Sequence, residues 1–520
     1  MPYIQTEDLR PGQLDAERQH QVYCGLDTCV THEVHTELNR LFNHPPAIYS
    51  FERALQAPYL EIMQRGFAVD TTSREMASRS LRARIIELSI ILNEYAVATW
   101  GKPVNPRSPA QLKDFFYTAM GLPEIWISQK GERKLSTNRE TLEKLEERYL
   151  YARPIISCIL SIRDLAKQLE VFETDIDSDG RFRTSYNIAG TETGRPSSSS
   201  NAFGTGGNAQ NISPALRYVF VADPGWKLGV IDLEQVEARD VGWFCGVLFG
   251  DWAFLNSCES GDLHTNNAKL VWPELPWTGH PAQDRKIADR GFYREFSYRD
   301  MAKRGSHLSN YMGTAWTMAR SLKIPPKVAE EFQSRYCRGA NCAYPALSRY
   351  WQWIAEQLQT TNHLTTPFGR ERHFFGRPGD DTTLREAIAF LPQSTTADRM
   401  NLGLWRVWKH MPQVQLLGQG FDSIIFQFRE GEEDRVLPEA LERIRVELSD
   451  PASGRKYVVP GEAKIGWNWG AAVFEEDSAH SLRNTPGRKP PRLNPEGLVK
   501  WKPGKPDLRS RQLGFARTII

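Results

Sequence analysis

The residue pattern predicts an α/β chain of the segregated, α+β kind, in which helical blocks alternate with short antiparallel strands. Three observations carry this expectation. Apolar residues recur at three- and four-residue spacing through roughly the first 170 positions, the texture turns Gly-, Ser-, Thr- and Asn-rich near Thr174, and two distant apolar runs each end on a carboxylate. Residues 74–98 place Leu81, Ile85, Leu88, Ile91 and Leu92 along one side of an amphipathic helix. A second helix is expected from Arg139 to about Tyr149, capped by Thr137 or Asn138, and a third from about Pro154 to Val171. Beyond Thr174, short alternating pieces such as Arg181 to Tyr186 read as strands between loops. WKLGVID at 226–232 is a short apolar strand followed at once by a helical pattern, and 285–358 is helical with a break at Pro325-Pro326. VQLLGQGFDSIIFQF at 414–428 reads as a hairpin bending around Gly418 to Asp422.

The 520 residues are 40% hydrophobic and 25% charged, which is ordinary globular composition and excludes wholesale disorder. Lys and Arg number 65 against 63 Asp and Glu, so any basic surface must be local. Seven cysteines without a CxxC pair read as reduced thiols in a cytoplasm rather than as a zinc site or a disulfide frame. The polar, acidic start is unlike a signal peptide and no long apolar run exists, so a soluble cytoplasmic protein with no membrane partner is expected. Residues 481–520 hold ten basic and two acidic side chains among many prolines, and a mobile basic tail able to touch phosphates is expected there.

Asp232 and Asp422 each follow an apolar strand, 190 residues apart. Either alone is an ordinary strand-end or turn acid. Side by side they would offer the hard oxygen ligands that phosphoryl transfer needs for paired divalent ions. Arg299, Lys303, His307 and Tyr311 recur every four residues, so on an α-helix they form one slowly drifting stripe, cationic and then aromatic. Such a stripe matches a triphosphate followed by a sugar and a base, although a solvated helix face has the same pattern. Residues 285–304 around it carry seven basic and three acidic side chains. The flexible TETGRPSS at 191–198 and NAQNI at 208–212 could lie along a nucleic-acid backbone.

In order and spacing these pieces resemble the family A DNA polymerases, from about residue 50 to 475. IDLEQVEAR at 231–239 resembles the family's first metal-binding motif, which implies Asp232 as a metal ligand, Leu233 as a carbonyl ligand and Glu237 as the acid that crowds the sugar 2′ position. RDMAKRGSHLSNY at 299–311 resembles the RxxxKxxxFxxxY helix, implying that Arg299 and Lys303 grip the dNTP triphosphate, with His307 and Tyr311 at its sugar and base. GQGFDSI at 418–424 resembles the third motif and supplies Asp422 as the other metal ligand. TGRPSS and NAQNI imply primer-template contacts for Arg195, Gln210 and Asn211, and LREAIAFLPQSTTADRM at 384–400 implies the same for Arg385 and Gln393.

The resemblance implies a right-hand polymerase fold with an antiparallel-sheet palm, helical fingers and a helical thumb. The thumb would span 51–175, the palm 176–240 and 375–480, and the fingers 241–374. Residues 1–50 would be an N-terminal segment in which Tyr23 and Asp27 resemble the end of a 3′–5′ exonuclease domain; proofreading by this chain alone is expected to be absent. Two Mg²⁺ ions, with Mn²⁺ as an alternative, primer-template DNA and dNTPs are the implied cofactors and partners, and a separate exonuclease or processivity factor is left open. His307 stands where the family has an aromatic ring, Phe421 and Ser423 replace a usual His and Glu, and Ala389 replaces a usual Asn. Glu234 sits where a small Ser is common and could add a nearby charge. The rival readings are a noncatalytic template-binding protein on the same scaffold, a single-subunit RNA polymerase, and a nuclease suggested by Asp232-x-Glu234.

Overall fold

One five-stranded antiparallel sheet positions everything that follows. Its strands lie in the order Gln415–Gly420, Ser423–Arg429, Trp226–Leu233, Gly461–Gly466 and Val499–Lys500. The computed structural model describes residues 15–41, 47–129, 132–201, 203–293, 296–473 and 493–504. Strand 226–233 is central and buried on both faces, which is why it reads as a continuous apolar run. Its side chains still alternate: Ile231 and Leu233 join the large core shared with the helices, while Leu228 and Val230 face a second core built around Phe67, Phe220 and Trp469.

Helices Val236–Phe249 and Asp381–His410 pack against each other within the larger core. A buried ion pair ties them. Asp240 and Arg399 are fully buried, with 3.1 Å between Arg399 Nη2 and Asp240 Oδ1. Asp240 also accepts from Tyr457 Oη at 2.7 Å and Thr396 Oγ1 at 2.9 Å, and Arg399 donates to the Val446 carbonyl at 2.8 Å. Burial raises the Asp240 carboxyl, and Arg399 with these hydrogen bonds opposes the rise.

The helical block expected at the start is present as Thr71–Trp100, Arg139–Arg148 and Arg153–Glu173 around a separate core of Leu92, Phe115, Phe116, Leu142, Ile156 and Ile159. Asp70 caps the first, accepting from Ser73 N–H at 3.1 Å, and Asn138 caps the second, accepting from Thr141 N–H at 2.8 Å. Helix 71–100 buries only Ala77, Leu92 and Ala96. Ile91, expected on its inner stripe, is exposed, because this long helix packs chiefly on helix 153–173 and covers a narrow strip.

Two expected boundaries move. Helix Ala47–Arg65 begins before residue 51, so the expected division at 50/51 cuts an element. The tail expected to be mobile from 481 is, at 499–500, the edge strand of the sheet: Lys464 pairs with Lys500 and Ile465 with Val499. Composition misleads there because a solvent-facing edge strand tolerates proline and lysine. Arg483, Arg488, Lys489, Arg492, Lys505, Arg509, Arg511 and Arg517 lie outside the described residues.

Replacing Asp240 with Ala strands a fully buried guanidinium. Urea denaturation of the variant should show a loss of about 3–5 kcal/mol, against under about 1 kcal/mol for removal of the exposed partner Glu75 of Arg79.

Candidate active site

Strand register brings the two distant acids together. Ser423 lies opposite Asp232 across the strand pair, and Leu233 N–H donates to the Asp422 carbonyl at 3.0 Å. Asp422 therefore occupies a two-residue turn beside the end of the central strand. Phe421, its neighbour in that turn, has φ of +49°, a left-handed conformation costing an L-residue about 1–2 kcal/mol. Gln419 holds the turn: its Nε2 donates to the Phe421 carbonyl at 3.0 Å, and its backbone exchanges hydrogen bonds with Tyr186 Oη, both at 3.1 Å. Gln210 Nε2 donates to Gln419 Oε1 at 3.1 Å, so this predicted DNA contact supports the turn that carries Asp422.

The acids share a strained electrostatic environment. Burial and then the charge of Asp422 push the Asp232 carboxyl up to about 6, and burial raises Asp422 as well. Glu462 lies opposite Asp232 on the other neighbouring strand. Lys464 Nζ stands 4.0 Å from Asp232 and 3.8 Å from Glu462, and Lys500 pairs with Glu462. Three carboxylates thus converge with two lysines around them. Ser423, where the resemblance leads one to expect an acid, donates instead to the Gly420 carbonyl at 3.0 Å.

Facing the carboxylates is the expected cationic stripe. Helix Tyr298–Asn310 starts from a capping box, in which Ser297 Oγ accepts from Asp300 N–H at 3.0 Å and the Asp300 carboxylate accepts from Ser297 N–H at 3.3 Å. Lys303 and His307 are exposed on it and line a cavity of about 520 Å³ together with Asp232, Asp422, Glu237, His264 and Glu462. Arg299 forms a two-pronged ion pair with Asp262, with both N–O distances 2.9 Å, and Arg285 joins the same carboxylate at 2.9 Å. Asp262 is thereby held well below the usual carboxylate range, although burial pulls the other way. A larger cavity, about 710 Å³, lies away from the acids between helix 139–148 and the 316–326 segment.

Glu237 is the crossing point of three segments. Arg195 pairs with it and the Tyr311 hydroxyl donates to it. Burial first, then the Glu237 charge, raises the Tyr311 phenol far above its ordinary value. The Arg195 guanidinium also sits 5.7 Å from the centre of the Phe421 ring. Tyr311 is the residue after the last helical turn and follows His307 in edge-to-face contact, ring centres 5.5 Å apart.

Residues 75–471 match the model of DNA polymerase family A. The chain belongs to this family. Among its relatives is the thermostable DNA polymerase I of Thermus thermophilus, 27% identical over 454 residues that cover 83% of this chain and 48% of the relative. Another is the DNA polymerase I of Helicobacter pylori, 24% identical over 444 residues, covering 81% of this chain and 44% of the relative. The chain spans about half the length of the curated relatives it matches. Among solved structures, the POL domain of Pol1 from M. smegmatis, in complex with DNA primer-template and dNTP, superposes with a TM-score of 0.63 at 22% identity, covering 80% of this chain and 69% of that one. The fold is the right-hand one that the sequence motifs implied, and no helix among the described residues is long and apolar enough to cross a membrane.

Within this family A scaffold the cavity gathers Asp232, Leu233, Glu237, Lys303, His307 and Asp422, with Arg299 at the start of the same helix and Tyr311 just past its end. Asn211 is exposed, and its N–H donates to Asn208 Oδ1 at 3.1 Å. Arg385 is exposed in the first turns of helix 381–410, 3.2 Å from Asp381, and Gln393 is half-buried midway along it. Neither lines the cavity. Sequence reasoning missed His264, Asp262, Glu462 and Lys464. Asp262 had a readable signal, being the N-cap of helix Leu263–Val271, where it accepts from Thr265 N–H at 3.4 Å. That this helix packs on helix 298–310 is a tertiary fact.

His264 is the most informative of these. Its Nδ1 is buried without a hydrogen-bond partner among the described residues, and its pKa is pushed down to about 4 by burial and by the charges of Arg299 and Lys303. Its folded pKa lies below the unfolded value near 6.5, so the unfolded chain takes the proton first. The stability contributed by neutral His264 is complete above about pH 6.5 and is lost as pH falls toward 4. Urea denaturation at pH 7 and pH 5 should show a fall in wild type that is smaller, by on the order of 1 kcal/mol, in His264→Asn.

Proposed function

We propose that this chain is a DNA-directed DNA polymerase that extends a primer 3′-hydroxyl with dNTPs by nucleotidyl transfer. The observation that carries the reading is the gathering of Asp232 and Asp422 around one cavity that Lys303, His307 and His264 also line. The chemistry matches what phosphoryl transfer demands, namely positioning and neutralisation of charge with little covalent work for side chains.

The family implies divalent ions, and the donor set fits them. Asp232, Asp422 and the Leu233 carbonyl are hard oxygens of the kind that hold Mg²⁺ or Mn²⁺, and the Asp422 and Glu462 carboxylates beside Asp232 gather negative charge that a cation can balance. When bound there, the ions would favour the alkoxide form of the primer hydroxyl and neutralise the departing pyrophosphate. The chain's own residues do the rest. Lys303 meets the triphosphate as a mobile point charge. Arg299, held in place by Asp262, supplies a fixed positive field at the start of the same helix face. Neutral His264 offers its ring N–H to a phosphate oxygen and gains a second proton more readily once negative charge arrives. Glu237, anchored by Arg195 and Tyr311, stands as a fixed wall where a ribose 2′-hydroxyl would fall.

Steady-state extension of a primer-template with Mg²⁺ tests the reading. Wild type should extend with dNTPs. Asp232→Ala and Asp422→Ala should each lower kcat by about 10³-fold or more while primer-template binding persists. Extension only with NTPs would favour the RNA polymerase reading, and binding without extension would favour the noncatalytic one. In the same assay Glu237→Ala should raise ribonucleotide incorporation relative to deoxynucleotide by about tenfold or more.

A further inference from the structure

The structure assigns a second metal site, distinct in ligand chemistry from the acid pair, to the hairpin of strands His363–Thr365 and Glu371–His373. We infer that His363, Glu371 and His373 bind one divalent transition ion of the Zn²⁺ class and thereby stiffen the hairpin that seats the Arg195 loop.

The hairpin register makes the ligand set. His363 lies directly opposite His373, and Glu371 is two residues before His373, so all three side chains leave the same face. The other face turns inward with Leu364 and its cross-strand partner Arg372. One ligand atom from each of the three residues lies within 4.8 Å of the others. Glu371 Oε1 is 3.8 Å from His363 Nε2 and 3.0 Å from His373 Nε2, and the two imidazole centroids are 5.2 Å apart. Ligand atoms on a tetrahedral ion at bond lengths of about 2.0–2.1 Å are separated by roughly 3.3 Å, so small side-chain rotations complete the geometry.

A second observation prepares the site. His363 Nδ1 is 3.0 Å from the Thr361 carbonyl, and a carbonyl oxygen only accepts. Nδ1 therefore carries a proton, and in the neutral ring Nε2, the nitrogen nearer Glu371, is the one available to a metal ion. Outer hydrogen bonds of this kind fix tautomer and ring orientation at metal-binding histidines. Two imidazoles with one carboxylate select zinc and its neighbours over Mg²⁺ or Ca²⁺, which prefer all-oxygen sets. The two sites would thus divide a mixed ion pool by ligand type.

What the ion would stiffen is visible behind the hairpin. Arg370, in its bend, holds Asp398 at 2.7 Å and Glu52 at 2.6 Å, while Arg372 pairs with Glu192 and lies 3.1 Å from Glu386. Gly194 takes φ of +74° directly against Arg370, where a Cβ would come within 2.4 Å of the guanidinium carbon. The next residue is Arg195, the anchor of Glu237.

The test is equilibrium dialysis of untagged, metal-stripped full-length protein against Zn²⁺, with Asp232→Asn/Asp422→Asn silencing the acid pair in a parallel sample. One zinc per chain should be retained by both proteins. It should be lost, or held about 100-fold more weakly, in His363→Asn/His373→Asn and in Glu371→Gln, all exposed or half-exposed positions whose circular dichroism should match wild type. Zn²⁺ should also raise the Tm of wild type and leave that of the histidine variant unmoved. Equal zinc in wild type and the folded hairpin variants, or none in any of them, would overturn the assignment.

Discussion

Two like charges held side by side by backbone register are the constraint on which the rest of this structure depends. Neighbouring strands run about 4.8 Å apart, and unit charges roughly 5 Å apart repel by about 3 kcal/mol at an effective dielectric near 20. The backbones of the pair are fixed, because Asp232 lies in the last turn-side residues of a central strand and Asp422 sits in a two-residue turn braced by Gln419. The sheet's two hydrophobic cores supply the stability that keeps the acids in place. Lys464, at 4.0 Å, offsets only part of the repulsion. A site of this kind is primed for cations because its own fold leaves part of the negative charge uncompensated.

The opposing wall is built on a related logic with the sign reversed. Helix 298–310 presents cations to the cavity, and the one nearest its start, Arg299, is fixed by Asp262 from another helix. Lys303, one turn on, is exposed and able to follow a ligand. Between the walls, the Arg195, Glu237 and Tyr311 cluster joins a loop, the start of helix 236–249 and the end of helix 298–310 through charge-assisted hydrogen bonds. Movement of helix 298–310 over the cavity must break or carry this cluster. The substitution of histidine at 307 keeps a flat ring beside Tyr311, so the stacking surface is smaller but not lost. The hairpin at 363–373 belongs to the same assembly, since its inner arginines hold the loop on which Arg195 rides.

Much of the site was legible in the residues because its motifs are local. A strand ending on Asp232, a hairpin with Asp422 at its bend and a four-residue repeat from Arg299 to Tyr311 each follow from spacing within about 15 residues. The helix cap at Asn138 is equally local. Spacing by itself hid the contacts between elements distant in sequence; the family resemblance supplied the meeting of Asp232 and Asp422 but not their other neighbours. Glu462 next to Asp232 depends on which strand pairs with 226–233, and Asp262 beneath Arg299 depends on how two helices pack. The edge strand at 499–500 was hidden for a further reason, since its composition is that of a solvated tail.

The sequence by itself determined the kinds of chemistry available and the elements that carry them: acids at strand ends, a cationic helix face, capped helices and a family-wide order of motifs. Tertiary structure alone decided which charges oppose and which cancel, making Arg299 a tethered cation, His264 an uncharged ring and Asp232 a reluctant anion. The physical reason is that periodicity encodes the direction of a side chain relative to its own backbone. Charge state and partner depend on burial and on distances of a few ångströms between segments, which only the packed sheet and helices set.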